Sequence, residues 1–385
     1  MSKHLAIQEL SSLKNLGVYN NNEIVGILAL TRDGRAAFEY SDSWLVDGFA
    51  LNPLSLPLQK QVFLPKDDPF EGVFGIFNES LPDGWGWLLV DRMLRERKID
   101  PASLCRLARL AIVGSSGMGA LTYQPKYVAS DSKSLRNLDL LAEECALVLE
   151  AKQVESLDEL FILGGSSGGA RPKVLAEVEG EPWIIKFPSS VDKSDVGLME
   201  YEYSLAAKAC GIEMSEARLF SSDKSSGFFG VKRFDRVSAG GVIRRIHMAS
   251  VSGLMETSHR VPSLDYTTIA KLVLRLCSDM GEVQKLFRQM CFNVFAHNQD
   301  DHAKNLAFLF DRSEGQWSLS PAYDLTWSAG MMGEHATTVL GKGKDISKND
   351  LLECGLVMGL TRKSCQKTAN EVEEIATPLA KKWER

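Results

Sequence analysis

The chain has 385 residues, of which 44% are hydrophobic and 24% are charged, and its formal net charge is −6. This length is enough for two or three lobes with sizeable cores, whereas a net negative charge disfavours unaided DNA binding, which needs a concentrated basic face. The seven cysteines form no Cys-x-x-Cys pair, and no long apolar run occurs. We therefore expect reduced thiols, no membrane span, no secretion signal and a cytoplasmic location.

The first third of the chain is predicted to be rich in β-structure. Short apolar segments between residues 16 and 126 are separated by Asn-Asn-Asn and Asp-Gly, which favour turns. One helix is predicted near 84–97. Residues 128–137 are polar and typical of a linker, and a helix over 138–150 is expected to follow them.

A glycine-rich segment comes next and has the composition of a phosphate-binding loop. The apolar run at 160–163 predicts a strand, and a further strand is predicted over 173–178. Between them, Gly168 and Gly169 allow backbone N–H groups to approach phosphates closely, because no Cβ atom interferes.

A lysine on an apolar strand adds to this indication. Residues 183–187 are predicted to form a strand that carries Lys186 among apolar neighbours. In kinases such a lysine contacts ATP phosphate and a glutamate of the following helix. The helix predicted over 197–209 provides Glu200 as that glutamate, with Glu202 as the alternative.

The polar stretch Asn-Gln-Asp-Asp-His-Ala-Lys-Asn at 298–305 lies between two predicted helices and a predicted hairpin. Apolar residues at helical spacing predict one helix over 266–278 and, after an interruption at Gly281, a second from Val283 to Ala296. Apolar segments at 306–310 and 317–319 then predict a hairpin.

The spacing of polar residues in this stretch indicates phosphoryl transfer. Asp300 and Asn305 are five apart, as in a kinase catalytic loop, where the Asp orients the attacking hydroxyl and the Asn holds Mg²⁺. The hairpin is expected to bring Asp324 back to the same site. Alternatively, the Asp and Asn side chains only cap turns, which is a common role for them.

Several other polar features are interpreted as structural. No lysine-bearing strand pair follows Gly114–Gly119, so we expect a turn there. Gly341–Lys344 lies beyond the Asp324 segment with no strand leading into it, so we expect a surface loop. Asp301 is a possible second base, but the spacing to Asn305 selects Asp300. His302 has no suitably spaced metal-ligating neighbour, and His247 is likewise interpreted as structural.

In this order, the segments resemble the HipA-like serine/threonine kinases of bacterial type II toxin–antitoxin systems, from residue 16 to about residue 375. The resemblance rests on Gly-Gly-Ala-Arg-Pro-Lys (168–173), Ile-Ile-Lys-Phe-Pro (184–188), Val-Lys-Arg-Phe-Asp-Arg (231–236), Arg-Ile-His-Met (245–248), Asp-Asp-His-Ala-Lys-Asn (300–305) and Pro-Ala-Tyr-Asp-Leu (321–325). Upstream, Gly-Ile-Leu (26–28), Pro-Leu-Ser-Leu-Pro-Leu (53–58) and Leu-Pro-Asp-Gly-Trp-Gly (81–86) belong to the same pattern.

The resemblance implies roles for individual residues. Asp300 would be the catalytic base, and Asn305 and Asp324 would bind Mg²⁺. The residues implied in ATP binding are Gly168, Gly169, Ala170, Arg171, Pro172, Lys173, Lys186, Lys232, Arg233, Phe234, His302, Ala303, Lys304, Asn305, Tyr323 and Asp324. Lys232 to Phe234 would form the hinge beside adenine, although relatives carry an acid at position 232.

The family also implies self-inhibition and a fold. Ser166, or alternatively Ser167, would be autophosphorylated, and the added negative charge would repel the ATP phosphates. The implied fold is α+β and bilobal, like a protein kinase. A β-rich subdomain at 16–126 would precede a β-rich N-lobe at 138–235 and a mostly helical C-lobe at 236–380.

The implied partners follow from the same resemblance. They are a HipB-like helix-turn-helix antitoxin, through which alone the protein would contact DNA, and a protein substrate. Aminoacyl-tRNA synthetases are the family's best-known class of target, and their phosphorylation on Ser or Thr would inhibit translation and growth.

Two other function classes remain open at this point. A small-molecule kinase of the aminoglycoside or choline type shares the Asp-x-x-x-x-Asn spacing, but usually has His-Gly-Asp-Leu where this chain has Asn-Gln-Asp-Asp. A non-catalytic, kinase-like corepressor or scaffold would not need Lys186, Asp300, Asn305 and Asp324, all of which are present.

Overall fold

In a computed structural model, the described residues are 4–127, 137–154, 157–165, 168–239 and 242–384. The chain divides into two compact units. The first comprises Met1–Ser194, Phe220–Ala249 and Gly253–Thr257, and the second comprises Asp195–Leu219, Ser250–Ser252 and Ser258–Arg385.

The strands, in chain order, are β1 (His4–Leu5), β2 (Asn15–Asn20), β3 (Glu23–Leu30), β4 (Ala36–Tyr40), β5 (Val62–Phe63), β6 (Leu121–Gln124), β7 (Lys126–Tyr127), β8 (Lys173–Val178), β9 (Glu181–Lys186), β10 (Ala217–Phe220), β11 (Phe228–Lys232), β12 (Arg236–Ala239), β13 (Val242–Arg245), β14 (His247–Ser250), β15 (Leu264–Asp265), β16 (Ala307–Asp311), β17 (Gln316–Leu319) and β18 (Thr337–Thr338). The α-helices are α1 (Asp42–Asp47), α2 (Gly75–Asn78), α3 (Gly84–Glu96), α4 (Arg106–Val113), α5 (Leu138–Leu149), α6 (Leu157–Gly164), α7 (Val196–Ala209), α8 (Val251–Met255), α9 (Tyr266–Cys277), α10 (Met280–Phe295), α11 (Lys348–Val357) and α12 (Arg362–Trp383). Short 3₁₀ turns occur at Ile7–Ser12, Pro101–Ser103 and Met331–Gly333.

The first unit begins with an antiparallel sheet in the order β5-β4-β3-β2-β6. Buried and more exposed residues alternate along β2, as expected for a sheet with one face on a core. Phe38 on β4 and Trp85 on α3 are among the buried side chains. The predicted β-rich character of this segment and the helix near 84–97 are confirmed.

A second antiparallel arrangement in this unit places β9 between β8 and β11. The predicted strand at 160–163 is wrong, because these residues belong to helix α6. A short apolar run does not distinguish a buried strand from a buried helix. Here Leu160 and Leu163 pack with Trp85 and Leu89 of α3, so the run is buried as a helix.

The second unit is mainly helical. The predicted helix over 266–278 is confirmed as α9, and β16 pairs with β17 as the predicted hairpin. The predicted break between two helices is confirmed, but it lies at residues 278–279 and not at Gly281, because α10 already begins at Met280. The Asp279 side chain accepts a hydrogen bond from the Gly281 N–H at 2.7 Å and thereby caps this helix.

The units divide the chain differently from the predicted segments. Helix α7 belongs to the second unit, where the Tyr203 hydroxyl donates to the Ala296 carbonyl at 2.6 Å. The β12–β13 hairpin belongs to the first unit and lies where a lobe boundary was expected. Among the described helices, none is both long enough and apolar enough to cross a membrane.

The histidine at position 247 gives a pH-dependent test of the first unit. Its Nε2–H donates to the Leu51 carbonyl at 2.9 Å, and burial lowers the pKa of His247 from 6.5 to about 4. Below pH 6.5 the unfolded chain therefore binds a proton at this histidine that the folded chain excludes. The contribution of the neutral His247 to the free energy of unfolding is complete above pH 6.5 and is lost as the pH falls toward 4. Replacing the histidine by glutamine, His247→Gln, keeps a donor for the Leu51 carbonyl. We predict that the free energy of unfolding of this variant falls by roughly 3 kcal/mol less than that of the wild type when the pH is lowered. Urea unfolding at neutral pH and at about pH 4.5 measures this, and an unchanged pH slope in the variant would contradict it.

Candidate active site

The loop between α10 and β16 is closed by its own backbone and side chains. The Asn305 side-chain amide donates to the Asp300 carbonyl at 2.8 Å, and the Asn305 N–H donates to the His302 carbonyl at 2.8 Å. The Asp300 N–H donates to the Ser328 hydroxyl at 3.0 Å. These bonds fix the backbone of Asp300, whereas its side chain remains 62% exposed and can accept a proton from an incoming group.

The hydrogen bond to His302 determines which of its nitrogens carries the proton. Nδ1 accepts from the Lys304 N–H at 3.3 Å, so a neutral His302 carries its proton on Nε2. That Nε2 lies 3.7 Å from Oδ1 of Asp300. His302 thus places a donor beside the exposed carboxylate. Ala303 is buried, and its carbonyl accepts from the Ser252 N–H at 3.0 Å.

The neighbouring Asp301 supports the loop from inside. Only 3% of Asp301 is exposed, and its carboxylate accepts from the Tyr266 hydroxyl at 2.8 Å and from the Thr337 N–H at 3.1 Å. His335 Nδ1 lies 3.0 Å from the same carboxylate, and Asn293 donates to the Tyr266 hydroxyl at 2.8 Å. The hydrogen bonds of the buried Asp301 hold the loop in place, while the side chain of Asp300 faces solvent.

The chain after the hairpin returns to this loop, as the sequence predicted. The Tyr323 hydroxyl donates to the Lys304 carbonyl at 2.6 Å, so residues next to Asp324 and Asn305 are bonded to each other. Asp324 itself has φ +53°, a left-handed conformation that non-glycine residues seldom adopt. Such strain is often found where a side chain must be presented for a function.

In the first unit, two lysines lie opposite each other on neighbouring strands. Lys173 on β8 is in register with Lys186 on β9, so both side chains lie on one face of the pair. Like charges in this position repel, and an anion between them would offset the repulsion. Gly169 has φ +82°, and a Cβ there would lie 2.8 Å from Lys173 Nζ. The glycine therefore lets the loop backbone approach the buried ammonium group.

The glycine-rich loop is held by several neighbours within the first unit. The Trp85 N–H donates to the Gly169 carbonyl at 3.2 Å, and Gly84 lies against Ala170. Arg171 forms two hydrogen bonds with Asp192, at 3.0 and 3.1 Å. The predicted modification sites, Ser166 and Ser167, lie outside the described residues. The Pro172 carbonyl accepts from the Phe187 N–H at 2.8 Å.

The predicted hinge residues make strong contacts of their own. Lys232 lies 3.3 Å from Glu181, and the buried Arg233 side chain bonds to Asp235 at 2.9 and 2.8 Å. The Arg233 N–H also donates to the Pro182 carbonyl at 2.9 Å. These groups of Arg233 thus stabilise the first unit, and an adenine contact through residues 232–234 stays a prediction.

The two glutamates considered as partners of Lys186 both lie on α7 in the second unit. Glu200 is 4% exposed, whereas Glu202 is bonded to Lys382 at 2.6 Å and to the Trp383 indole at 2.9 Å. Glu202 is thus engaged at the end of α12, and the pairing of Glu200 with Lys186 stays a prediction.

Comparison with known proteins places these features in a family. A model described as the HipA-like C-terminal domain matches residues 165–383, and one described as the HipA N-terminal domain matches residues 16–124. The chain belongs to the HipA family. It is 27% identical over 351 residues to a protein of Sinorhizobium fredii (strain NBRC 101917 / NGR234) named "Putative kinase Y4mE", covering 82% of this chain and 77% of that protein.

A solved structure shares the fold of this HipA-family chain. It is the complex of the Shewanella oneidensis MR-1 toxin–antitoxin system, with HipA, HipB and operator DNA. The TM-score is 0.71 at 18% sequence identity, and the match covers 95% of this chain and 90% of the other. The two family models confirm the expected family membership, and this structure shows the shared fold.

The supporting network around Asp301 was missed by sequence reasoning. Asp301 stood out only as an alternative base, and nothing in the spacing connects it with Tyr266 or His335, which lie 35 and 34 positions away. Two adjacent acids in one loop were the available signal. One of them faces solvent in this HipA-family fold and the other is buried.

Removing the Tyr266 hydroxyl tests the supporting network. Tyr266→Phe keeps the ring but leaves Asp301 and Asn293 each without one hydrogen-bond partner, so we predict a loss of about 1–3 kcal/mol in the free energy of unfolding. Tyr201→Phe, at a half-buried tyrosine of α7 outside this network, is the control. Urea unfolding measures both, and equal stabilities of the two variants would contradict the assigned role.

Proposed function

We propose that this HipA-family protein is an ATP- and Mg²⁺-dependent serine/threonine protein kinase. The observation that carries the proposal is the closed loop that fixes the backbone of Asp300 while leaving its carboxylate exposed. In this role Asp300 accepts the proton of the attacking hydroxyl. The adjacent His302 Nε2 lies 3.7 Å from the carboxylate, and the buried Asp301 keeps the loop in place.

The phosphate-binding groups come from the first unit. Lys173 and Lys186 place two positive charges on one face of β8 and β9, beneath a glycine-rich backbone. This arrangement suits the multiply charged phosphates of ATP, which accept charge-assisted hydrogen bonds. Glu200 is proposed to orient Lys186, and the hinge role of Lys232 to Phe234 belongs to the same proposal.

Asn305 and Asp324 have the right chemistry for Mg²⁺. Their amide and carboxylate oxygens are hard ligands of the kind that this ion prefers. The Asn305 NH₂ is engaged with the Asp300 carbonyl, which turns its Oδ1 away from that group. When bound, Mg²⁺ neutralises charge on the ATP phosphates.

A protein acceptor is favoured over a small molecule. The residues at 298–301 are Asn-Gln-Asp-Asp and not the His-Gly-Asp-Leu of the aminoglycoside and choline kinases. A relative is named as a kinase, and the protein with the shared fold was solved with HipB and operator DNA. We therefore propose a HipB-like helix-turn-helix antitoxin as partner, with DNA contacted through it.

The remaining elements of the proposal rest on the family resemblance. They are growth inhibition through phosphorylation of an aminoacyl-tRNA synthetase, inhibitory autophosphorylation at Ser166 or Ser167, a cytoplasmic location and a bilobal kinase-like fold with three segments. The charge of a phosphoserine in the glycine-rich loop supports the inhibitory role, since it would repel ATP phosphates.

Replacing the proposed base tests the enzymatic activity. We predict that Asp300→Asn lowers ADP formation from Mg-ATP at least about 100-fold, because the amide cannot accept the hydroxyl proton. The matched control is Asp345→Asn, the same change at an exposed position of the second unit. A coupled ADP assay with a general protein acceptor and with an aminoglycoside measures both. Activity of Asp300→Asn equal to the control would contradict the proposal, and turnover with the aminoglycoside alone would favour the small-molecule kinase.

The lysine pair gives an independent test of nucleotide binding. We predict that Lys173→Met weakens ATP binding about 10-fold or more, because it removes a buried cation beneath Gly169. Lys152→Met removes an exposed lysine that pairs with Glu150 and serves as the control. Titration calorimetry with Mg-ATP measures both dissociation constants. Equal constants for Lys173→Met and the control would contradict the phosphate-binding role.

A further inference from the structure

The tetrapeptide Gly-Ser-Ser-Gly occurs twice in the chain. One copy, at 165–168, contains the serines proposed for autophosphorylation, and the other lies at 114–117, between α4 and β6. A kinase that accepts a serine in one copy meets the same local sequence in the other. Ser115 and Ser116 are both half-buried, so neither hydroxyl is enclosed in the core.

Two basic side chains meet at Ser115. Lys126 Nζ lies 3.4 Å from the Ser115 hydroxyl, and a Cβ on Gly114 would lie 2.9 Å from the Lys126 Cβ. The lysine stem thus packs closely on a glycine and is held in place. The Arg245 guanidinium donates to the Ser115 carbonyl through Nη2.

Around the loop at 114–119, two arginine side chains share a single carboxylate, that of Asp235. Arg233 and Arg236 both bond to Asp235, at 2.8 and 2.7 Å, and the Gly119 N–H donates to the same carboxylate at 2.7 Å. The Gly117 carbonyl accepts from Arg236 at 2.9 Å. Asp235 thus has more donors than a carboxylate in an ordinary ion pair, and Arg245 adds another positive charge beside it.

Arg245 is the group in this cluster with unused binding capacity. Its Nη1 is buried and has no hydrogen-bond partner within the described residues. Burial, followed by the charge of Arg233, lowers the pKa of Arg245 to about 10, which indicates an incompletely compensated cation. A buried donor without a partner is costly, and an added anion would satisfy it.

We propose that Ser115 is a phosphorylation site whose phosphate is bound by Lys126 and Arg245. A phosphate on the hydroxyl adds about −1.5 to −2 charges and three acceptor oxygens next to Lys126, on the residue whose carbonyl Arg245 already bonds. Ser116 is unsuited to this role because its hydroxyl donates to the Val113 carbonyl at 2.8 Å. The phosphate would tie the loop at 114–119 to the β12–β13 hairpin.

The donor of the phosphate rests on the proposed function. The Ser115 hydroxyl oxygen of one molecule attacks the γ-phosphorus of ATP bound to another, the bond to the β–γ bridging oxygen breaks, and ADP leaves. The hydroxyl proton passes to Asp300 of the enzyme molecule. Atoms and charges balance without a further reactant.

The binding of the phosphate can be tested without any kinase activity. Phosphoserine is installed at position 115 of the full chain by genetic encoding, and thermal unfolding is compared with that of the unmodified protein. We predict a rise in Tm of about 2–4 °C, which disappears when the same comparison is made in Lys126→Met. Phosphoserine at position 116 is the control and should give no rise. A Tm that does not rise at 115, or that rises equally in Lys126→Met, would overturn the site.

The modification itself is tested by incubating the wild-type protein and Asp300→Asn with Mg-ATP and mapping phosphopeptides by mass spectrometry. We expect phosphate on Ser115 in the wild type only. Phosphate at Ser166 or Ser167 but not at Ser115 would contradict the modification while leaving the kinase proposal intact. If no acceptor is phosphorylated, the proposed function fails, and the thermal comparison still decides whether the site binds a phosphate.

Discussion

The buried carboxylate of Asp301 is the interaction on which the candidate active site depends. A carboxylate that is 3% exposed must be compensated, and Tyr266, His335 and Thr337 surround it with hydrogen-bond partners. Those partners come from helix α9 and from the segment after the hairpin, so folding of the second unit determines the position of the loop. The adjacent Asp300 can then be exposed without being mobile, which is what a catalytic base requires.

The first unit concentrates positively charged side chains in two places. Lys173 and Lys186 face each other across two strands, and the arginines near Asp235 share one acid between them. In both places positive charge is concentrated in a partly buried setting. We propose nucleotide phosphates as the anion at the lysine pair, and a phosphate on Ser115 as the anion beside Lys126 and Arg245.

The sequence predicted the helices and the hairpin next to the candidate site, but not the hydrogen-bond network that supports its loop. The helices at α9 and α10, the β16–β17 hairpin and the return of Asp324 toward the loop follow from apolar periodicity and turn composition. Helix α6 was missed because a four-residue apolar run has no resolvable period. The role of Arg233 was missed because its guanidinium also donates to the Gly117 carbonyl, 116 positions away, which local spacing cannot reveal.

The most direct test of the account is transfer of the terminal phosphate of ATP to protein. Wild-type protein and Asp300→Asn are each purified free of phosphate, incubated with ATP labelled in the γ-phosphate, and weighed intact by mass spectrometry. If Asp300 is the base of a protein kinase, label becomes covalently bound to the wild-type chain and not to the variant. Label released only as inorganic phosphate, or bound equally to both chains, would contradict the assignment of Asp300 as the base of a protein kinase.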